Sequence, residues 1–109
     1  MNKYEALTEA LKRAVVAARA AVEANPEDGG TCNFDAPTIS LPRWNFELTK
    51  SAARAAGIGC FTWNCYGAKY FVFPLRIGGQ ANSRTRAAEA ACESLKSDGY
   101  NAGMYYQMD

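Results

Sequence analysis

The residues of this 109-residue chain best suited to chemistry lie between positions 76 and 86: Arg76, Ile77, Gly78, Gly79, Gln80, Ala81, Asn82, Ser83, Arg84, Thr85 and Arg86. Gly78 and Gly79 let the backbone approach a ligand closely. A helix starting just after them exposes unpaired N–H groups that attract anions. Ser83 and Thr85 add hydroxyl donors, and Arg76, Arg84 and Arg86 are suited to bidentate pairing with phosphate or carboxylate. Basic side chains at a helix N-terminus oppose its dipole unless an anion is near. The chemistry expected of this segment is therefore anion, phosphate-ligand or nucleic-acid binding. Against it stands the plainer reading of a glycine turn, a polar cap and solvated arginines.

A second group is Gly29, Gly30, Thr31, Cys32, Asn33, Phe34 and Asp35, a thiol, an amide and a carboxylate at a glycine-led strand start. Catalysis by Cys32 needs activation of the thiol, and the chain has no histidine to supply it. A small packed cysteine is the simpler reading. The same lack excludes Ser-His and Cys-His pairs and any histidine-ligated metal within the chain. Cys60 and Cys65 fit none of the usual zinc spacings. No catalytic residue, cofactor or metal is expected.

Those residues need elements to hold them. Tyr4, Leu7, Leu11, Ala14, Val15, Ala18 and Val22 recur at helical spacing, so a helix is predicted over 3–24, closed by Asn25-Pro26. Alternation predicts a strand from Thr31, with Cys32, Phe34 and Ala36 on one side and Asn33 and Asp35 on the other. Ile39 and Leu41 then run in the opposite phase, which predicts a bulge or edge position at Pro37. A second helix is expected at about 45–56, capped by Asn45, closed by Gly57 and striped by Leu48, Ala52 and Ala55. Residues 58–65 and 69–77 read as paired strands around Tyr66-Gly67, with Pro74 inside the second. Phe61, Trp63 and Cys65 share one face, and Phe71, Phe73, Leu75 and Ile77 another. A third helix at about 83–97, ended by Asp98-Gly99, carries Ala87, Ala88, Ala91, Cys92 and Leu95. A last strand covers 102–108, with Met104, Tyr106 and Met108 inward.

The expectation is a single α+β domain over 1–109. Its N-terminal helix covers 1–25, and a split-βαβ core covers 31–108. That core has the ferredoxin-like βαββαβ pattern, an antiparallel four-stranded sheet. The extra helix joins the helical layer, caps the open sheet face or docks on another subunit. By alternation the outward sheet face carries Asn33, Asp35, Thr62, Asn64, Tyr70, Val72, Arg76, Tyr105 and Gln107. Tyr70 and Tyr105 could stack nucleic-acid bases. A covered face, used for pairing between subunits or lidded by the first helix, is the favoured reading. Trp44, Phe46 and the remaining large aromatics are expected in the core or at its edge.

Size and composition fit this plan. Hydrophobic residues make up 49% and charged residues 21%, ordinary for a packed domain rather than a disordered chain. A formal net charge of +1 argues against a surface devoted wholly to nucleic acid or anionic lipid. The start, Met1 to Glu9, has neither a positive leader nor an apolar core, and no apolar run is long enough to span a membrane. Four cysteines without such a leader suggest free thiols in a reducing cytoplasm.

Two resemblances add to this reading. Phe71-Val72-Phe73, Gly78-Gly79 and Ser83 through Ala91 resemble the last strand and helix start of double-stranded-RNA-binding domains, over about 25 residues. There a serine and basic residues open an alanine-rich helix and contact phosphate, which implies the same for Ser83, Arg84 and Arg86. Thr85 stands where that pattern has lysine, and the order of the other elements differs. The segment Gly29 to Asp35 and the ending Tyr105-Tyr106-Gln107-Met108-Asp109 resemble short uncharacterised proteins of bacterial mobile elements and phages. That resemblance implies a compact protein that binds and modulates a host or phage macromolecule. The expected function is a small interaction module acting on itself, as a homodimer, or on a protein partner. The alternative is a nucleic-acid or phosphate-ligand binder.

Overall fold

The computed structural model describes residues 2–24, 33–65, 67–75 and 81–108, the side chains at 33, 34, 65, 81–84 and 106–108 excepted. The segment 76–80, with Arg76, Gly78 and Gly79, lies outside the described residues. So does 25–32, with the predicted turn and Cys32.

Seven elements follow in order: α1 (Lys3–Ala24), β1 (Asn33–Ile39), α2 (Phe46–Ala55), β2 (Phe61–Cys65), β3 (Ala68–Val72), α3 (Ala81–Ser97) and β4 (Ala102–Met108). The strands form one sheet in the order β2-β3-β1-β4, and every neighbouring pair is antiparallel. The three helices share one side of it. Leu7, Leu11, Ala14 and Ala18 of α1, Ala52 and Ala53 of α2, and Ala87, Ala91 and Leu95 of α3 enclose Ile39, Phe71 and Phe73 in a single core. The extra helix thus joins the helical side, packed along α3 and against α2. Small residues on α1 and α3 let the two axes approach closely.

Local chemistry sets the element ends. The Asn2 side chain caps α1, accepting from the backbone N–H groups of Tyr4 and Glu5, both at 2.9 Å. Asn45 caps α2 in the expected way, accepting from the Leu48 N–H at 2.9 Å. Gly57 and Gly99 close α2 and α3 at φ values of 84° and 93°. After each, the next N–H turns back onto the helix: Ile58 to the Ala53 carbonyl and Tyr100 to the Leu95 carbonyl, each at 3.1 Å.

Three expectations need correction. First, β1 has no bulge: Asn33 through Ile39 pair one for one with Met108 through Ala102. Pro37 is tolerated in a central strand because its missing N–H faces β3, where that ladder ends. Only its carbonyl is used there, accepting from the Phe73 N–H at 3.0 Å. Second, the strand keeps one phase throughout, so the half before Pro37 is opposite to the one predicted: Asp35 and Pro37 share the helix side with Ile39. Third, the buried face of α2 is Thr49, Ala52 and Ala53, whereas Leu48 is 52% exposed. Thr49 can be buried because its hydroxyl donates to the Asn45 carbonyl at 2.8 Å.

Candidate functional site

The hairpin dictates the sheet's second face. Cys65 pairs with Ala68 across a two-residue loop, so Trp63 stands opposite Tyr70 and Phe61 opposite Val72. Residues directly opposite in an antiparallel pair share a face. Val72 is also opposite Thr38, and Ala36 is opposite Tyr105. Phe61, Trp63, Tyr70 and Tyr105 therefore all stand on the side away from the helices.

Their rings meet across the sheet. The Trp63 and Tyr105 centroids are 4.9 Å apart at 84°, and Phe61 and Tyr105 are 5.8 Å apart at 87°. Trp63 also leans on Tyr70 at 5.8 Å. β2 and β4 are opposite edges of the sheet, so these contacts span the two middle strands. The span is possible because the positions beneath are small: Ala36, Thr38, Val72 and Gly103. A Cβ at Gly103 would lie 3.2 Å from the Thr38 hydroxyl. Under the rings Ala36 and Val72 are fully buried and Thr38 nearly so, although none of the described helices covers them. Edge-to-face packing of this kind adds to the apolar area it hides. The rings themselves stay half-exposed.

None of the described residues on this face is charged: Ala36, Thr38, Phe61, Trp63, Ala68, Tyr70, Val72, Gly103 and Tyr105. The lysine nearest along β3, Lys69, belongs to the other face with Phe71.

The expected outward set is thus divided. Tyr70, Val72 and Tyr105 are on the helix-free face. The register puts Gln107, opposite Phe34, at a position of that same face. Thr62 and Asn64 are exposed, but their register with Phe71 and Lys69 puts them on the helix side of an edge strand. Asn33 shares the phase of Asp35, and the side chains of Asn33 and Gln107 lie outside the described residues. Asp35 is buried on the helix side, where its carboxylate accepts a hydrogen bond from the Thr85 hydroxyl. Sequence reasoning missed Phe61 and Trp63 as members of the open face. The two-residue hairpin loop was the available signal, because it binds their phase to that of Tyr70 and Val72.

The basic start of α3 changes character with Asp35 beside it. α3 begins at Ala81, two residues earlier than predicted. Ser83 and Arg84 are within it, and their side chains lie outside the described residues. Thr85 is engaged by Asp35, and Arg86 is half-buried. A buried carboxylate near this end supplies the negative charge that the helix dipole favours.

Thiol chemistry is disfavoured at Cys60 and Cys92. Burial pushes the Cys60 thiol up from an ordinary 9.0 to about 11, and the Lys50 charge offsets only part of this. Burial likewise raises Cys92, against a smaller opposite pull from Lys96. Among the described residues no three cysteine, aspartate or glutamate side chains are grouped to hold a metal ion. Nor is any described helix long and apolar enough to cross a membrane.

Comparison with known proteins finds no matching family model, no matching curated protein and no matching solved structure.

Proposed function

We propose that this chain is an interaction module that pairs with a second copy of itself through the aromatic sheet face, on a ferredoxin-like fold. The fold reading is supported by the strand order β4-β1-β3-β2, by antiparallel neighbours throughout, and by α2 and α3 as the two crossovers. The observation that carries the functional reading is that the described residues of the tiled face are aromatic or small and uncharged. Interface cores are rich in aromatic residues and poor in charge. A two-fold pairing sets a patch against itself, so a neutral patch meets its copy without like-charge repulsion. A platform for single-stranded nucleic acid needs cations beside its rings and flat ring faces free for stacking. This face has no described cation, and its rings are mostly turned edge to face.

Sedimentation analysis tests the reading. The wild-type chain at roughly 100 µM is expected to sediment as a dimer, a concentration well above the Kd of an ordinary specific interface. Tyr70→Lys places a like charge on each copy and is expected to give a folded monomer, with folding checked by circular dichroism. Ala68→Lys repeats the test at an exposed position of the same face. A wild-type monomer at that concentration overturns the proposal, as does a dimer that survives both substitutions.

A further inference from the structure

On the other side of β3, a cavity of about 420 Å³ lies between the start of that strand and the connection from β1 to α2. Its walls are apolar and aromatic: Leu41, Pro42, Trp44 and Phe71. Two cations, Arg43 and Lys69, line it as well, and no carboxylate is among its described lining residues. A third cation is close, since Lys3 Nζ sits 4.8 Å from the centre of the Trp44 ring. Neither Arg43 nor Lys69 pairs with a carboxylate among the described residues. The volume falls in the range of small-molecule sites, which combine apolar walls with a few placed polar groups.

The backbone adds a second, independent observation. Arg43 has φ 70°, the only described non-glycine residue in the left-handed region. That conformation costs free energy that glycine would avoid, and residues held this way cluster at ligand-binding positions. Here the strained residue brings an exposed guanidinium to the cavity. The wall beside it is braced: Tyr4 packs edge-on against Trp44 with centroids 5.0 Å apart, and its hydroxyl oxygen accepts from the Asn45 N–H at 3.0 Å.

We propose that this cavity binds a small planar anion, a flat ring carrying one carboxylate or phosphate group. The ring lies against the partly exposed Trp44, with Phe71 buried behind it, and the anionic group meets the Arg43 guanidinium and the Lys69 ammonium. Guanidinium and a planar oxyanion match in a bidentate arrangement, and aromatic walls select a flat body. Apart from Ala68, which borders both surfaces, this site lies on the opposite side of the sheet from the self-pairing face.

Nuclear magnetic resonance provides the test, because the chain has two tryptophans, one at each surface. Indole-3-carboxylate and phenyl phosphate serve as the anionic probes, with neutral indole-3-carboxamide as control. Titration is expected to move the Trp44 indole N–H signal, assigned through Trp44→Phe, in a saturable way and to leave that of Trp63 in place. The carboxamide is expected to bind at least tenfold more weakly. Arg43→Gly should also weaken the anionic probes at least tenfold, the scale of one lost charge-assisted contact. At the same time it should raise the melting temperature by relieving the left-handed strain. Tighter binding of phenyl phosphate assigns a phosphate ligand, and tighter binding of the carboxylate assigns an organic acid. No saturable movement of Trp44 with either anion at about 10 mM, far weaker than an ordinary small-molecule Kd, overturns the proposal. So does equal binding of the carboxamide, or binding unchanged in Arg43→Gly.

Discussion

Cys60 shows how burial alone sets the chemistry of a residue. Its thiol sits against the core beside Lys50, and loss of hydration outweighs the favourable charge. The folded state therefore holds the thiol proton up to about pH 11, whereas an unfolded chain releases it near 9.0. Between those values the folded state binds more protons than the unfolded one, so this contribution to stability is complete below pH 9 and lost as pH rises towards 11. Cys92 and Tyr100 are raised as well and act in the same direction. Stability measured by urea unfolding is expected to fall above pH 9, and Cys60→Ala is expected to flatten part of that fall. An alkaline profile identical in the variant would show that Cys60 contributes nothing to it. At the same scale Asp35 was not legible: an acid alternating with apolar residues reads as solvent-facing. The hydroxyl that receives it lies 50 positions away in the chain.

Elements were legible where a local rule decides them. The helix of 3–24 follows from its spacing, the α2 start from Asn45, and the helix ends at Gly57 and Gly99 from their tolerance of positive φ. The face an element buries was less legible. Leu48 fits the apolar stripe of α2, yet Thr49 takes the buried place because its hydroxyl is satisfied within the helix. The contact between Thr85 and Asp35 ties α3 to β1. Thr85→Val keeps the shape and removes the donor, leaving a buried carboxylate without it. A loss of about 1–3 kcal/mol is expected, the usual range for stranding a buried polar group. Thr85→Ser retains the hydroxyl and is expected to keep most of that stability. Chemical denaturation of both variants checks this, and equal stability of Val and wild type would mean that the contact contributes nothing.

At the scale of the molecule, the described helices cover one side of the sheet, and among the described residues the other side carries aromatic rings over small ones. If that face pairs two copies, folding and association are linked, and thermal stability depends on concentration. Each tenfold rise in protein concentration contributes about 1.4 kcal/mol per dimer, or roughly 3–6 °C in melting temperature for a dimer of this size. Scanning calorimetry at two concentrations a factor of ten apart measures it. A melting temperature that does not move argues for a monomer. The same measurement on Tyr70→Lys is expected to show no concentration dependence.

The arginine and glycine run at 76–86 is visible without any structure because it depends only on residue types close together in the chain. Helical spacing, caps and the strand alternation are visible for the same reason. Alternation states only that two faces differ. It does not state which face meets the helices, because that depends on which distant side chains are satisfied there. Tertiary packing decided it three times: Thr85 turned Asp35 inward, the two-residue hairpin carried Phe61 and Trp63 to the face of Tyr70, and small residues on the middle strands let rings from opposite edges meet. The cavity at Arg43 belongs with these, since it is assembled from β3 and a connection some 25 residues earlier, and includes a left-handed backbone angle that no residue type announces.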